Sequence, residues 1–310
     1  MNSIPDPFAP TRPHYVVDLW VNKPPSKRLI RFRRWFSLGC SALLILLFFL
    51  CLVNAAYFLA PFRTNILLLG IDRTPQDTWL GRSDTIILAT VRPLTPYVGM
   101  LSMPRDLWVT IPDVGENRIN TAHFFAENEV PGSGPAATLE TIRQNFSVDI
   151  RYYVRVRFEG IKDIVEALGG LDIELDTSAA GYPAGKHHLN GDQALAFVRD
   201  RQGTDDFFRM AHGQLFLAEI LEQAASPASW PRFPRLMSAV LNTVDTNLPI
   251  WQWPRVGIAL LRVGSAGIDS RVITREMTEP FTTSEGAQVL RPDWEKINQL
   301  LSEVFGTSQG

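Results

Sequence analysis

The longest apolar run lies near the start of the chain, where residues 38–59 pass 22 positions without a charge. At 1.5 Å per residue a helix of that length spans about 33 Å, enough to cross a bilayer. Beyond residue 63 the pattern changes to short aliphatic runs separated by amphipathic stretches. Residues 65–69, 85–91 and 98–102 read as buried strands, because they are dominated by β-branched and aliphatic side chains. Residues 152–157 and 171–175 read as further strands, and residues 135–146 and 158–168 as helices. In the second helix Phe158, Ile161, Ile164, Val165 and Leu168 form one stripe, and Gly169-Gly170 ends it. Residues 190–200 and 206–223 are also predicted helices. From Pro231 onward come two amphipathic helices, a strand at 269–274 and a closing helix at 292–304, with Pro292 suited to its first turn. Strands alternating with helices predict an α/β fold with a central mixed sheet covered by helices on both faces.

Charge adds direction to this pattern. Residues 1–26 hold six prolines and read as a flexible tail. Lys27, Arg28, Arg31, Arg33 and Arg34 then precede the apolar run, which predicts that this side stays in the cytoplasm. A cleaved signal peptide has an apolar region of roughly 7–15 residues and a much shorter lead-in. The expected organisation is therefore a cytoplasmic tail over 1–35, one transmembrane helix over 36–60 and an exported domain over 61–310. Residues 1–35 carry seven Lys/Arg against two Asp/Glu, so the remainder carries 23 against 30, a net of −7. An acidic globular part argues against general nucleic-acid binding. Cys40 and Cys51 both lie inside the apolar run, so the exported part must be held by its core without a disulfide.

Candidate chemistry sits at strand ends. Asp72 follows the first predicted strand and Asp84 precedes the second. If those strands are antiparallel neighbours, both carboxylates lie at one sheet edge, where a hard cation such as Mg2+ would suit them. Each aspartate could equally cap a turn. Arg73, Arg82, Arg105 and Arg118 accompany them, and Arg199, Arg201 and Arg209 come from the helical region. Arginine forks match phosphate oxygens, but Asp106, Asp200, Asp205 and Asp206 also offer ordinary surface partners. His187-His188 lacks a further ligand at metal spacing and reads as structural or solvent-facing. No Gly-rich phosphate loop, Gly-x-Ser-x-Gly elbow or His-Glu-x-x-His sequence occurs.

The order Asn65–Asp72, Arg82-Ser-Asp-Thr85, Leu101-Ser-Met-Pro-Arg-Asp106 and Arg118-Ile-Asn120 resembles the LytR-CpsA-Psr family. The resemblance continues through Phe158-Glu-Gly160, Ala167-Leu-Gly-Gly170, His188-Leu-Asn-Gly191, Ala194–Arg199 and Asp206-Phe-Phe-Arg209. It covers a motif core over residues 65–224, with a helical C-terminal part over 225–310. It implies transfer of a glycopolymer from a polyprenyl-pyrophosphate carrier to peptidoglycan, with Asp72 and Asp84 holding Mg2+. Its pyrophosphate-binding arginines fall on Arg105, Arg199, Arg201 and Arg209, and its Lys-Ile-Asn lysine on Arg118. Arg73, Arg82 and Gln214 complete the candidate phosphate contacts, and Arg105, Asp72 and Asp84 the candidate catalytic set. The lipid tail is expected in an apolar tunnel lined by stripes such as Ile161/Ile164/Val165/Leu168 and Leu215/Phe216/Ile220. One departure stands out. The second Arg-Gln of the family's Arg-x-x-Arg-Gln is His212-Gly213 here, followed by Gln214. If His212 faces the phosphates, they should favour its charged form. Close packing or a bend would explain Gly213.

Other readings remain at this point: hydrolysis of the lipid pyrophosphate, binding of the carrier without catalysis, and transcriptional attenuation. The general base is open among Asp72, Asp84 and Asp106. The basic cluster ahead of the apolar run makes a topological prediction. A reporter fused after Gly310 should be active only outside the cytoplasm, and activity inside would revive the regulatory reading.

Overall fold

The computed structural model describes residues 27–59, 63–72, 78–93, 95–200 and 206–306. The chain divides into two compact units, Met1–Tyr57 and Phe58–Gly310. Most of helix α1 (Lys27–Leu59) belongs to the first. Its window Leu38–Ala55 has a mean hydropathy of 2.5, and none of that window is buried. An all-round apolar, unburied helix of this length meets the requirements for a bilayer span.

The second unit begins with β1 (Thr64–Ile71), β2 (Ser83–Arg92), β3 (Tyr97–Ser102), β4 (Trp108–Ile111) and β5 (Gly115–Arg118). Then come α2 (Thr121–Glu129), α3 (Gly134–Phe146), β6 (Tyr152–Arg157), α4 (Phe158–Leu168), β7 (Leu171–Leu175) and β8 (Gly185–Leu189). Next are α5 (Gly191–Arg199), α6 (Asp206–Ala225), α7 (Phe233–Thr243), β9 (Val244–Thr246) and α8 (Trp253–Val263). The chain closes with β10 (Asp269–Val272), β11 (Thr278–Thr282), β12 (Gln288–Pro292) and α9 (Trp294–Phe305).

Six strands make the central sheet in the order β10-β3-β2-β1-β6-β9. It is mixed: β1 runs antiparallel to β2 and parallel to β6. Its central strands are apolar on both faces because both faces are covered. Leu67, Leu69, Ile71, Ile86 and Leu88 pack on one side with α3 and α9, through Ile142, Phe146, Ile297 and Val304. Ile87, Ala89 and Met100 face α6 at Ala218, and Val91 and Val98 face Ala259 and Leu260 of α8. Each such aliphatic side chain contributes about 1.5–3 kcal/mol by leaving water.

The expected strands and helices of the motif core are present, with ends shifted by a few residues. The closing helix is corrected. Pro292 is not in its first turn but ends β12, paired with Thr278. Asp293 caps the helix instead, its carboxylate accepting from the Lys296 amide at 3.4 Å. A proline lacks the ladder donor but is tolerated on a two-stranded edge. The C-terminal part, expected to be largely helical, also holds the hairpin β11–β12. The elements β5, α2 and β8 are short and largely polar, so hydropathy gave no signal for them, and β4, although apolar, is only four residues long.

A buried charge ties several of these elements together. Arg155 of β6 is 3% exposed. It pairs with Glu127 of α2 at 2.9 Å and Asp245 of β9 at 2.6 Å. Its guanidinium also lies 4.4 Å from the Trp79 ring centroid and 3.2 Å from His123 Nε2. The other ring nitrogen, Nδ1, is 3.0 Å from the Gly81 carbonyl. A carbonyl only accepts and an arginine only donates, so His123 is neutral with its proton on Nδ1. Burial, the largest influence, pulls its pKa below the ordinary 6.5. Protons therefore bind the unfolded histidine better than the folded one just below that value. Stability is fully present above about pH 6.5 and should fall as pH drops beneath it. Melting temperatures recorded between about pH 8 and 5 test this, and a flat profile would contradict it.

Candidate functional site

The carboxylates reach one place through an irregularity in the sheet. Between β1 and β2 the register pairs Gly70 with Thr85 and then Ile71 with Ser83, so Asp84 is the extra residue of a bulge. A bulge re-aims the side chain it carries. Asp84 is thereby turned toward the end of β1, where Asp72 follows Ile71. Gly70 is required beside this bulge. A Cβ there would stand 2.5 Å from the Phe158 ring and 2.9 Å from Thr85 Cβ.

Each carboxylate is met by an arginine from elsewhere in the chain. Arg199 ends α5, a helix started by a reciprocal Asn190–Gln193 capping box. It brings Nε to 2.9 Å and Nη2 to 2.8 Å of Asp72 Oδ1. Glu159, in the first turn of α4, holds the same guanidinium. Arg105 donates through Nη1 to Asp84 at 3.0 Å, and its Nε lies 3.4 Å from Asp106. Asp72, Asp84, Arg105, Arg199 and Arg209 line one polar cavity, together with Ser102 and His212. An adjoining cleft shares Asp72, Asp84 and Arg105 and adds Arg82, Asp106, Arg118 and Asn120. Arg118 is held there by Asp106 at 3.4 Å and by the Gln288 carbonyl at 3.1 Å.

Behind the polar cavity lies an apolar one. Val154, Val156, Ile161, Ile164, Phe216 and Ile220 line it, between β6, α4 and α6. Thr85, Phe158, Val198 and Gly213 belong to both walls. Of the stripes expected in a tunnel, Ile161, Ile164, Phe216 and Ile220 face this cavity. Val165 packs instead beneath β7 and β8, and Leu168 against Leu236 of α7.

Several expected phosphate contacts are placed otherwise. Gln214 is 1% exposed and turned away, its amide donating to the Arg271 carbonyl at 2.7 Å. It lies one helical step past Gly213, which rotates it from the cavity to the sheet side of α6. Arg73 and Arg201 lie outside the described residues. His212 does line the cavity, and burial holds its pKa below the ordinary value. His187 meets the Pro183 carbonyl at 2.8 Å and His188 meets Asp172 at 2.7 Å. Sequence reasoning misses Glu159, because nothing local shows that it meets Arg199, 40 residues away.

Among the described residues no group of three His, Cys, Asp or Glu side chains is placed to hold a metal. Asp72 and Asp84 still fit a hard cation that keeps water or phosphate oxygens as its other ligands. Both open onto the same cavity, and one is 3% exposed at its side chain while the other is 20%.

Residues 61–305 match the LytR_cpsA_psr family. The chain belongs to this family. It is 32% identical over 251 residues to the polyisoprenyl-teichoic acid–peptidoglycan teichoic acid transferase TagU of Oceanobacillus iheyensis, covering 79% of this chain and 76% of the relative. Against the TagU of Bacillus mycoides the match is 35% identical, but spans only 60% of that relative's length and 59% of this chain. Among solved structures, B. subtilis TagV aligns with a TM-score of 0.65 at 24% identity, over 80% of this chain and 99% of TagV. TagT bound to LIIa-WTA aligns with a TM-score of 0.63 at 22% identity, over 79% of this chain and 91% of TagT. These two likenesses establish the shared fold.

The departure at Gly213 has a structural meaning within this family. A Cβ placed there meets nothing within 4 Å, so close packing does not explain the glycine. It leaves open space where the two cavities join. Gly213→Ala should therefore stabilise the folded protein by about 0.5–1 kcal/mol, the helix-interior cost of glycine. A lower denaturation midpoint in that variant would show that this position is strained.

Proposed function

We propose that the protein transfers a glycopolymer from a polyprenyl-pyrophosphate carrier to peptidoglycan, at the outer face of the membrane that holds α1, with the N-terminal tail in the cytoplasm. The shared wall between the two cavities carries this reading. An arginine-rich cavity and an apolar cavity meet at Thr85, Phe158, Val198 and Gly213. A molecule with a charged head and a long hydrocarbon tail is the substrate that needs both. The names of the TagU relatives support the same reaction class, as does the LIIa-WTA bound to TagT.

In this reaction a muramic-acid hydroxyl attacks the phosphorus that bears the sugar. The bond from that phosphorus to the lipid phosphate breaks, polyprenyl phosphate leaves and a phosphodiester forms, with release of the hydroxyl proton. Arg105, Arg199 and Arg209 bind the pyrophosphate oxygens, where guanidinium forks match their geometry. Glu159 and Asp72 fix the direction of Arg199. Phe158 and Val198 close the joint between head and tail, keeping water from the apolar side. Asp72 and Asp84 would hold Mg2+. Bound there, the ion supplies positive charge that offsets the charge developing on the leaving phosphate.

Arg105→Ala should keep the fold, since Arg105 and its partners Asp84 and Asp106 line the open cavity and cleft rather than the core, with side chains 24%, 20% and 25% exposed. Transfer should slow on the order of a hundredfold, as when one transition-state donor is lost. Asp72→Asn and Asp84→Asn should each weaken Mg2+ binding in calorimetric titration, because an amide oxygen lacks the full charge. Product analysis distinguishes transfer from hydrolysis. A folded Arg105→Ala protein with near-normal turnover would remove that arginine from the reaction, and unchanged Mg2+ affinity in both aspartate variants would reduce them to turn residues.

A further inference from the structure

The end of the exported domain opposite the carboxylates carries a different chemistry. β1 runs from Thr64, where the chain arrives from the apolar helix, to Ile71 beside Asp72. Three segments gather at the Thr64 end. Thr64 pairs with Val91, and two residues on, the Pro93 carbonyl accepts from Arg262 at the end of α8 at 2.9 Å. Ile66 pairs with Tyr152, whose hydroxyl accepts from the Gln252 amide at 2.9 Å, beside Ile250 and Trp251. Helices α4 and α6 both start at the polar cavity and run away from it. The Leu168 carbonyl at the far end of α4 accepts from Arg232 at 3.0 Å. Residues 226–233 follow the far end of α6.

Large apolar side chains stand open on these segments. Trp230 is 68% exposed, Phe233 50%, Ile250 69%, Trp251 63% and Leu261 54%. Core packing does not account for aromatic surface of this extent, and such patches mark interaction sites. The surrounding charge is also distinctive. Residues 227–262 expose three arginines, Arg232, Arg235 and Arg262, while Arg255 is buried, and hold one acidic residue, Asp245, within a region 36–310 whose balance is −7. Tryptophan among arginines matches the lipid–water interface, where the indole sits at headgroup depth and the guanidinium meets phosphate. Residues 60–63 alone separate the apolar helix from β1.

We propose that this end of the domain docks on the membrane surface, with Trp230, Phe233, Ile250, Trp251 and Leu261 in the interface and arginines against anionic phospholipid headgroups. The inference rests on the membrane-anchored reading above. Docking sets the apolar cavity between membrane and polar site, so a lipid tail leaving the bilayer enters at this end, and the pyrophosphate reaches Asp72 and Asp84 at the other.

The test uses the full chain in lipid nanodiscs, in a Cys40→Ala, Cys51→Ala background. Trp251→Cys is labelled with an environment-sensitive fluorophore, and Glu116→Cys in the β4–β5 hairpin serves as the reference. Leu261→Cys repeats the measurement, so the result does not hang on one variant folding. In phosphatidylglycerol discs the Trp251 and Leu261 probes should shift to the blue and be quenched by doxyl-labelled lipid, while the Glu116 probe should not. High salt or purely zwitterionic discs should reduce the effect. Probes at both positions as wet as the reference, in folded protein, overturn the docking. A shift that appears only with several copies per disc also overturns it, in favour of self-association. Transfer assayed in the same discs separates the two readings. Wet probes with intact transfer sink the docking alone, and dry probes without transfer sink the transferase reading alone.

Discussion

A positive charge buried in the sheet is the constraint around which the unit Phe58–Gly310 is arranged. Arg155 is taken out of water on a central strand, which is costly unless its donors are met. They are met by Glu127, Asp245 and His123, from α2 and β9. Glu127 in turn accepts from the Gly132 and Gly134 amides and so fixes the start of α3. Trp79 lies against Arg155 and Arg157, and His123 reaches the Gly81 carbonyl. The segment carrying Arg82 to the cleft beside Asp72 and Asp84 is thus held by the same group of charges that joins β6 to its neighbours.

The site uses charge differently. Its arginines and carboxylates line a cavity, where Arg199 pairs with Asp72 and Arg105 with Asp84. Glu159 and Asp106 also hold the two arginines from the side. Burial lowers the pKa of His212, so it brings less positive charge to the start of α6 than an arginine would.

Much was legible in the sequence, and for local reasons. Residues 38–59 had to be a helix suited to a bilayer because of their length and lack of charge. The central strands declared themselves because a sheet buried on both faces leaves no polar positions in them. The ordered motifs around Asp72, Asp84 and Arg105 identified the family, whose match covers residues 61–305. Local signals also misled. Pro292 suits a helix start, yet it ends a strand, since Asp293 supplies the cap.

Tertiary structure decided what depends on pairing across distance. The β1–β2 register makes Asp84 the bulged residue, and a shift of one position in either strand would send its side chain to the opposite face. Arg199 meets Asp72 across 127 residues, and no local period encodes that meeting. Gln214 looks like a ligand beside His212-Gly213, but its place on the helix aims it at the Arg271 carbonyl. Arg155 reads as one more polar position in a short strand, although it is among the most buried charges in the fold. Periodicity along a chain records which face of an element is apolar. Which groups meet across those faces is fixed only when register, bulge and helix rotation are set together by packing.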